Sequence, residues 1–126
     1  MNFATMTATQ RTEHIAETFG IKVQIDRLKE SLMEIDGVVD VEFDLDGLLD
    51  NIYQVIILAE YKINAPLESY YTCHSFLRRA IFDVARAHDL IWSGDPIEDY
   101  GQHFYFVMEC RNSWIESIKK GKAHED

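Results

Sequence analysis

At Gly37 the spacing of apolar residues changes. Before it, Ile21, Ile25, Leu28, Leu32 and Ile35 recur every three or four positions, with Lys22, Asp26, Arg27, Lys29 and Glu30 between them. After it, Val39, Val41, Phe43 and Leu45 alternate strictly with Asp40, Glu42, Asp44 and Asp46. The first period lines one face of a helix and the second lines one face of a strand, so a helix must hand over to a half-buried strand here.

The switch then repeats. A turn region with Gly47, Asp50 and Asn51 leads into "IYQVIILAEYKI", where Tyr53, Val55, Ile57, Ala59, Tyr61 and Ile63 make one apolar face and complete a hairpin. Asn64 and Pro66 open a second long helix, proline being suited to a first turn that needs no N–H. Its buried stripe is Leu67, Tyr70, His74, Leu77, Ile81 and Val84, running towards His88. "IWSGDPIEDYGQHFYFVMEC" then reads as a second hairpin. Gly94 and Pro96 confine its first strand to an edge, and Phe104, Phe106, Met108 and Cys110 alternate along its second. Ser113 and Glu116, at capping-box spacing, start a short last helix carrying Trp114 and Ile118.

The order helix, hairpin, helix, hairpin, short helix is an αββ unit used twice. It predicts an α+β two-layer sandwich, αββαββ(α), with a four-stranded antiparallel sheet and two helices on one face. Moving the first strand of a ferredoxin-like βαββαβ domain to its end gives this order, so a circularly permuted ferredoxin-like sheet is expected. Residues 38–46 and 90–98 would then be the edges, and 52–63 and 103–111 the middle. The domain is expected over 13–119, between flexible tails at 1–12 and 120–126. Ile15 and Phe19 lie four apart before Gly20, as in a separate turn or a kinked extension of the first helix.

A chain of 126 residues can bury one core without staples. Its longest apolar runs, five residues each in "VIILA" and "FYFVM", are far below the roughly 20 residues of a bilayer span, and the start has no signal-peptide pattern. A cytoplasmic location is expected. Cys73 and Cys110 lie far apart and read as small core residues.

Charge is distributed unevenly. Asp36, Asp40, Glu42, Asp44, Asp46 and Asp50 form one stretch without a base, and Asp89, Asp95, Glu98 and Asp99 form another. These ten acids account for the whole net charge of −10, since the remaining acids equal the lysines and arginines. Such a balance opposes binding to nucleic-acid phosphate or anionic lipid, both repelled across a Debye length of about 8–10 Å. One reading is protection, in which charged edges repel another sheet edge. The other is recognition, in which Asp40, Glu42, Asp44, Asp46, Asp95, Glu98 and Asp99 meet lysines and arginines of a partner. The two edges of a four-stranded sheet lie roughly 14 Å apart, near the roughly 12 Å of a DNA major groove, so a nucleic-acid mimic is geometrically allowed.

A second surface is the sheet face turned away from the helices. With Val55 and Ile57 inward, Ile56 and Leu58 point outward beside Tyr105 and Val107, an apolar patch expected to be covered. The helix of Trp114, the N-terminal segment with Phe3 and Phe19, and a second copy of the chain are the candidates, with self-association placed first.

Motifs for catalysis and metal binding do not assemble. Aligning Gly47 with the calcium-loop glycine puts Glu42, Asp44 and Asp46 at positions 1, 3 and 5 but Tyr53 where the bidentate glutamate belongs. His14, His74, His88, His103 and His124 form no HExxH, and neither cysteine has zinc-ligand spacing. No Walker or G-x-S-x-G motif occurs. The expected function is therefore a non-catalytic acidic protein-interaction module, homodimeric through the open sheet face and without a cofactor. The rivals are an acidic inhibitor or immunity-type protein for a basic partner and a small-molecule sensor using the cleft between sheet and helices.

Overall fold

The computed structural model describes residues 6–61, 67–93 and 103–125, with side chains over 6–61, 77–93 and 105–121. Thr7 opens the first helix, α1 (Ala8–Thr18), through a reciprocal capping box. Its hydroxyl accepts from the Gln10 N–H, and the Gln10 side chain accepts from the Thr7 N–H. Helix α1 thus starts at Ala8, inside the segment 1–12 read as a tail. Gly20, with φ 70°, turns the chain into α2 (Lys22–Met33), whose Ile25, Leu28 and Leu32 form the expected buried stripe. The two helices are separate, and the joint sits where the glycine is.

There follow β1 (Val38–Asp44), a 3-10 helix over Asp46–Asp50, β2 (Gln54–Tyr61), α3 (Leu67–Ala87), β3 (Leu90–Trp92), β4 (His103–Cys110) and α4 (Asn112–Glu125). All strand pairs are antiparallel and the sheet order is β1-β2-β4-β3. The fold is a mixed α+β arrangement with an open four-stranded sheet. Residues 38–44 and 90–92 lie at the edges, and residues 54–61 and 103–110 lie in the middle. Ile63, Asn64, Pro66, Gly94 and Pro96 lie outside the described residues.

One face of the sheet carries the core. Val41, Phe43, Val55, Ile57, Ala59, Tyr61, Phe106, Met108 and Cys110 are buried there together with Leu28 and Leu32 of α2 and Leu77, Ile81 and Ala85 of α3. Val39, read as part of this face, is not in it. A bulge between Val38 and Asp40 shifts the register: Val38 pairs with Tyr61 and Asp40 with Glu60, which leaves Val39 48% exposed. One inserted residue reverses the phase of a period-2 pattern, so Val38 packs against the core in its place.

The last helix departs most from its sequence reading. It starts at Asn112 and continues to Glu125, into the segment 120–126 read as a tail. Ser113 lies inside its first turn instead of capping it, and its N–H and hydroxyl both donate to Asp89 Oδ2, at 3.1 and 2.6 Å. The cap therefore comes from a different part of the chain. Trp114 is buried in the core and its Nε1 donates to the His88 carbonyl at 2.6 Å, so it is not available to cover the outer face of the sheet. Phe19, the other aromatic considered for that role, is buried in the same core, while Phe3 lies outside the described residues. Gly121 passes α1 so closely that a Cβ there would lie 2.5 Å from the carbonyl carbon of Phe19 and 2.6 Å from its oxygen.

Two consequences can be measured. Gly121→Ala forces backbone against backbone and is expected to destabilise by about 1–3 kcal/mol in denaturant unfolding despite alanine's better helix propensity; Lys120→Ala, at an exposed position, should stay within about 0.5 kcal/mol. The hydrogen bonds from Ser113 hold the Asp89 carboxyl below its ordinary value of 3.8. A lowered folded pKa contributes stability above the unfolded value and loses it as pH falls through the folded one. Asp89→Asn keeps the positive φ of this position accessible but removes the charge. It should cost roughly 0.3–1 kcal/mol at pH 7, and the gap to the parent in thermal melts should close below about pH 4.

Candidate functional site

Register and hydrogen-bond parity define what the outer face of the sheet presents. The Ser93 N–H donates to the Val107 carbonyl, so Val107 directs its backbone towards β3, and its neighbours Phe106 and Met108 direct theirs towards β2. Their side chains are in the core. Those of Tyr105, Val107 and Glu109 then project outward, as do those of Gln54, Ile56, Leu58 and Glu60 from β2.

Two adjacent rows result. Glu42 pairs with Leu58 and Leu58 with Tyr105; Asp44 pairs with Ile56 and Ile56 with Val107. Each row runs from a carboxylate on the edge strand to two apolar side chains on the middle strands. The four residues picked from the sequence for self-association are thus direct cross-strand neighbours. Ile56, Leu58 and Val107 are half-buried and Tyr105 is exposed. Asp40 and Glu60 adjoin this apolar centre beyond one row, and Gln54, Glu109 and the exposed Ile91 adjoin it beyond the other. Strands β1, β2, β3 and β4 carry no lysine or arginine.

The acidic edge is more engaged than its sequence suggests. Strand β1 ends at Asp44, so Asp46 is not on it but starts the 3-10 helix. Arg11 Nε donates to Asp46 Oδ1 at 2.7 Å, an ion pair between partly exposed groups. Asp44 Oδ1 accepts from the Asp46 N–H at 2.9 Å. Thr12 Oγ1 donates to the Phe43 carbonyl at 2.6 Å, so α1 occupies a backbone acceptor on the open side of the edge strand. Of the acids assigned to this edge, Asp40, Glu42 and Asp44 are strand carboxylates facing outward, Asp44 with one oxygen taken by the Asp46 N–H. Asp95, Glu98 and Asp99, the proposed second acidic edge, lie outside the described residues. Helix α1 was missed as a partner of the edge because Arg11 and Thr12 fall in the segment read as a tail; the Thr7–Gln10 capping-box spacing was the available signal.

Between α1, α2 and β1 runs a groove of about 220 Å³. Its apolar lining includes Ile25, Val41, Phe43 and Leu58, and it carries five carboxylates, from Glu13, Asp26, Glu42, Asp44 and Asp46, against two cations, Arg11 and Lys29. Leu58, Glu42 and Asp44 belong to both the groove and the outward rows, so the two features are continuous. The groove is smaller than the roughly 300–1,000 Å³ typical of small-molecule pockets.

Elsewhere, Cys110 and His88 hold structural positions. Burial pushes the Cys110 thiol up to about 12, which removes the thiolate needed for nucleophilic attack. His88 hydrogen-bonds Ser31 Oγ at 3.0 Å through Nε2, as a structural histidine does. Among the described residues no three His, Cys, Asp or Glu side chains are grouped so as to hold a metal ion, and no helix is long and apolar enough to cross a membrane. The side chains of Cys73, His74 and His103 are outside the described set. Comparison of the chain with protein-family models, with curated proteins and with solved structures finds no match.

Proposed function

We propose that this chain is a non-catalytic protein-interaction module that docks a partner protein on the outer face of its sheet. The observation that carries this reading is the placement of Ile56, Leu58, Tyr105 and Val107 in two adjacent rows on the middle strands. The buried apolar residues of the described helices lie in one core with the opposite face of the sheet. Contiguous apolar surface at the centre of a sheet is a recognised mark of an interaction site. A second copy of the chain is the occupant that the apolar centre alone would accept, giving a homodimer; a basic protein is the occupant that the border of carboxylates would accept, as in the inhibitor reading. The strand order β1-β2-β4-β3 is also the one a circularly permuted ferredoxin-like sheet would have, and supports that reading of the topology.

The test compares the parent with the double variant Ile56→Asp/Val107→Asp, alongside Lys120→Ala as a surface control. Both substituted side chains point away from the core, so the melting temperature should fall far less than for Ile57→Asp, which places a charge in it. In sedimentation at tens of micromolar and in parallel affinity captures, the double variant is expected to lose self-association and partners that the parent and the control retain. A folded double variant that keeps the parent's full set of associations refutes the proposal.

A further inference from the structure

We infer that the occupant of this face is an amphipathic helix of a basic partner, with an apolar stripe resting on Ile56, Leu58, Tyr105 and Val107 and lysines or arginines along the flank that faces β1. This rests on the interaction reading above and specifies its partner. Two kinds of layer can cover the flat face of a sheet, another sheet or a helix, because an irregular segment would leave backbone groups unpaired there. A second copy would supply the sheet. It would also bring a second set of Asp40, Glu42, Asp44 and Glu109 to the interface, with no lysine or arginine on the strands of either copy to neutralise them. Like charges brought together at an interface oppose association. A helix with basic flanks carries the opposite charge and satisfies its own backbone.

The spacing agrees. Asp40, Glu42 and Asp44 follow one another along β1 at roughly 6.6–6.8 Å per step, and side chains at i and i+4 of a helix advance about 6 Å. A helix laid along the middle strands therefore keeps successive basic residues within about 2 Å of register with these three carboxylates over two steps. The groove beside β1 adds a specific receptor. It combines the apolar Ile25, Phe43 and Leu58 with the exposed Glu42 and Glu13. That lining suits a long basic side chain, whose methylenes lie on apolar surface while its charged head meets carboxylates.

The experiment uses the full chain and three synthetic labelled helical peptides in fluorescence anisotropy. One has a leucine stripe flanked on one side by lysines, one has glutamates in place of the lysines, and one is a scramble of the first that keeps its charge and loses the stripe. The lysine-flanked peptide is expected to bind, more weakly as salt rises, and at least about tenfold more tightly than either control. Glu42→Gln/Asp44→Asn should weaken it by about tenfold, the scale of two exposed ion pairs, and Ile56→Asp/Val107→Asp should abolish it. The inference is overturned if the lysine-flanked peptide does not bind, if the scramble binds equally, or if the carboxylate variant binds unchanged. A parent that is dimeric through this face, and becomes monomeric in Ile56→Asp/Val107→Asp, overturns the basic helix as occupant while leaving the interaction reading intact. If neither a peptide nor a second copy is held there, and that variant keeps every association of the parent, both fall together.

Discussion

The pairing of β2 with β4 is the contact on which the rest of the molecule depends. These strands are separated in sequence by α3 and β3, yet they run side by side from Gln54 opposite Glu109 to Glu60 opposite His103. Their register sets Val55 and Ile57 beside Met108 and Phe106 on one face, and sets Ile56 and Leu58 beside Val107 and Tyr105 on the other. A shift of one residue would exchange the two faces. The core and the outer patch are therefore consequences of a single alignment, and neither could be altered without the other.

The pairing leaves β1 and β3 at the edges, and the structure protects β1 by more than charge. Thr12 takes up the carbonyl of Phe43, Arg11 ties Asp46 to α1, and the bulge at Val39 interrupts the ladder at its start. Each device reduces the backbone surface open to another strand. With the Phe43 carbonyl on this side occupied, the edge carboxylates Asp40, Glu42 and Asp44 are left facing the same way as the apolar rows. Protection of the edge and recognition on the face thus use different chemical groups of one strand, backbone for the first and side chains for the second.

Much of this was legible in local pattern. The switch from period 3.6 to period 2 located α2 and β1, the alternation in "YQVIILAEY" identified both faces of β2, and the reading of Gly94 and Pro96 as edge residues put 103–111 in the middle, where β4 lies. The four apolar site residues followed from alternation alone, because a strand in a two-layer fold has only two sides. Less legible were features with no period. The bulge at Val39 leaves the composition of the strand unchanged while reversing its phase. Ser113 has the spacing of a capping residue, but Asp89, brought beside it by the fold, makes it a donor within the first turn.

By itself, then, the amino-acid order determined element types, the inward and outward sides of each strand and the location of excess charge, since these depend on a residue's neighbours along the chain. Only the tertiary structure decided which aromatic groups were spent on the core. Trp114 and Phe19 could each have covered the outer face, and both are buried on the helix side instead, where Gly121 lets α4 approach the end of α1 and the His88 carbonyl receives the indole N–H. That choice turns on close packing and on satisfying one buried donor, contacts between residues distant in sequence. Because of it, the apolar rows of β2 and β4 are bordered by carboxylates and not roofed by the chain's own tryptophan.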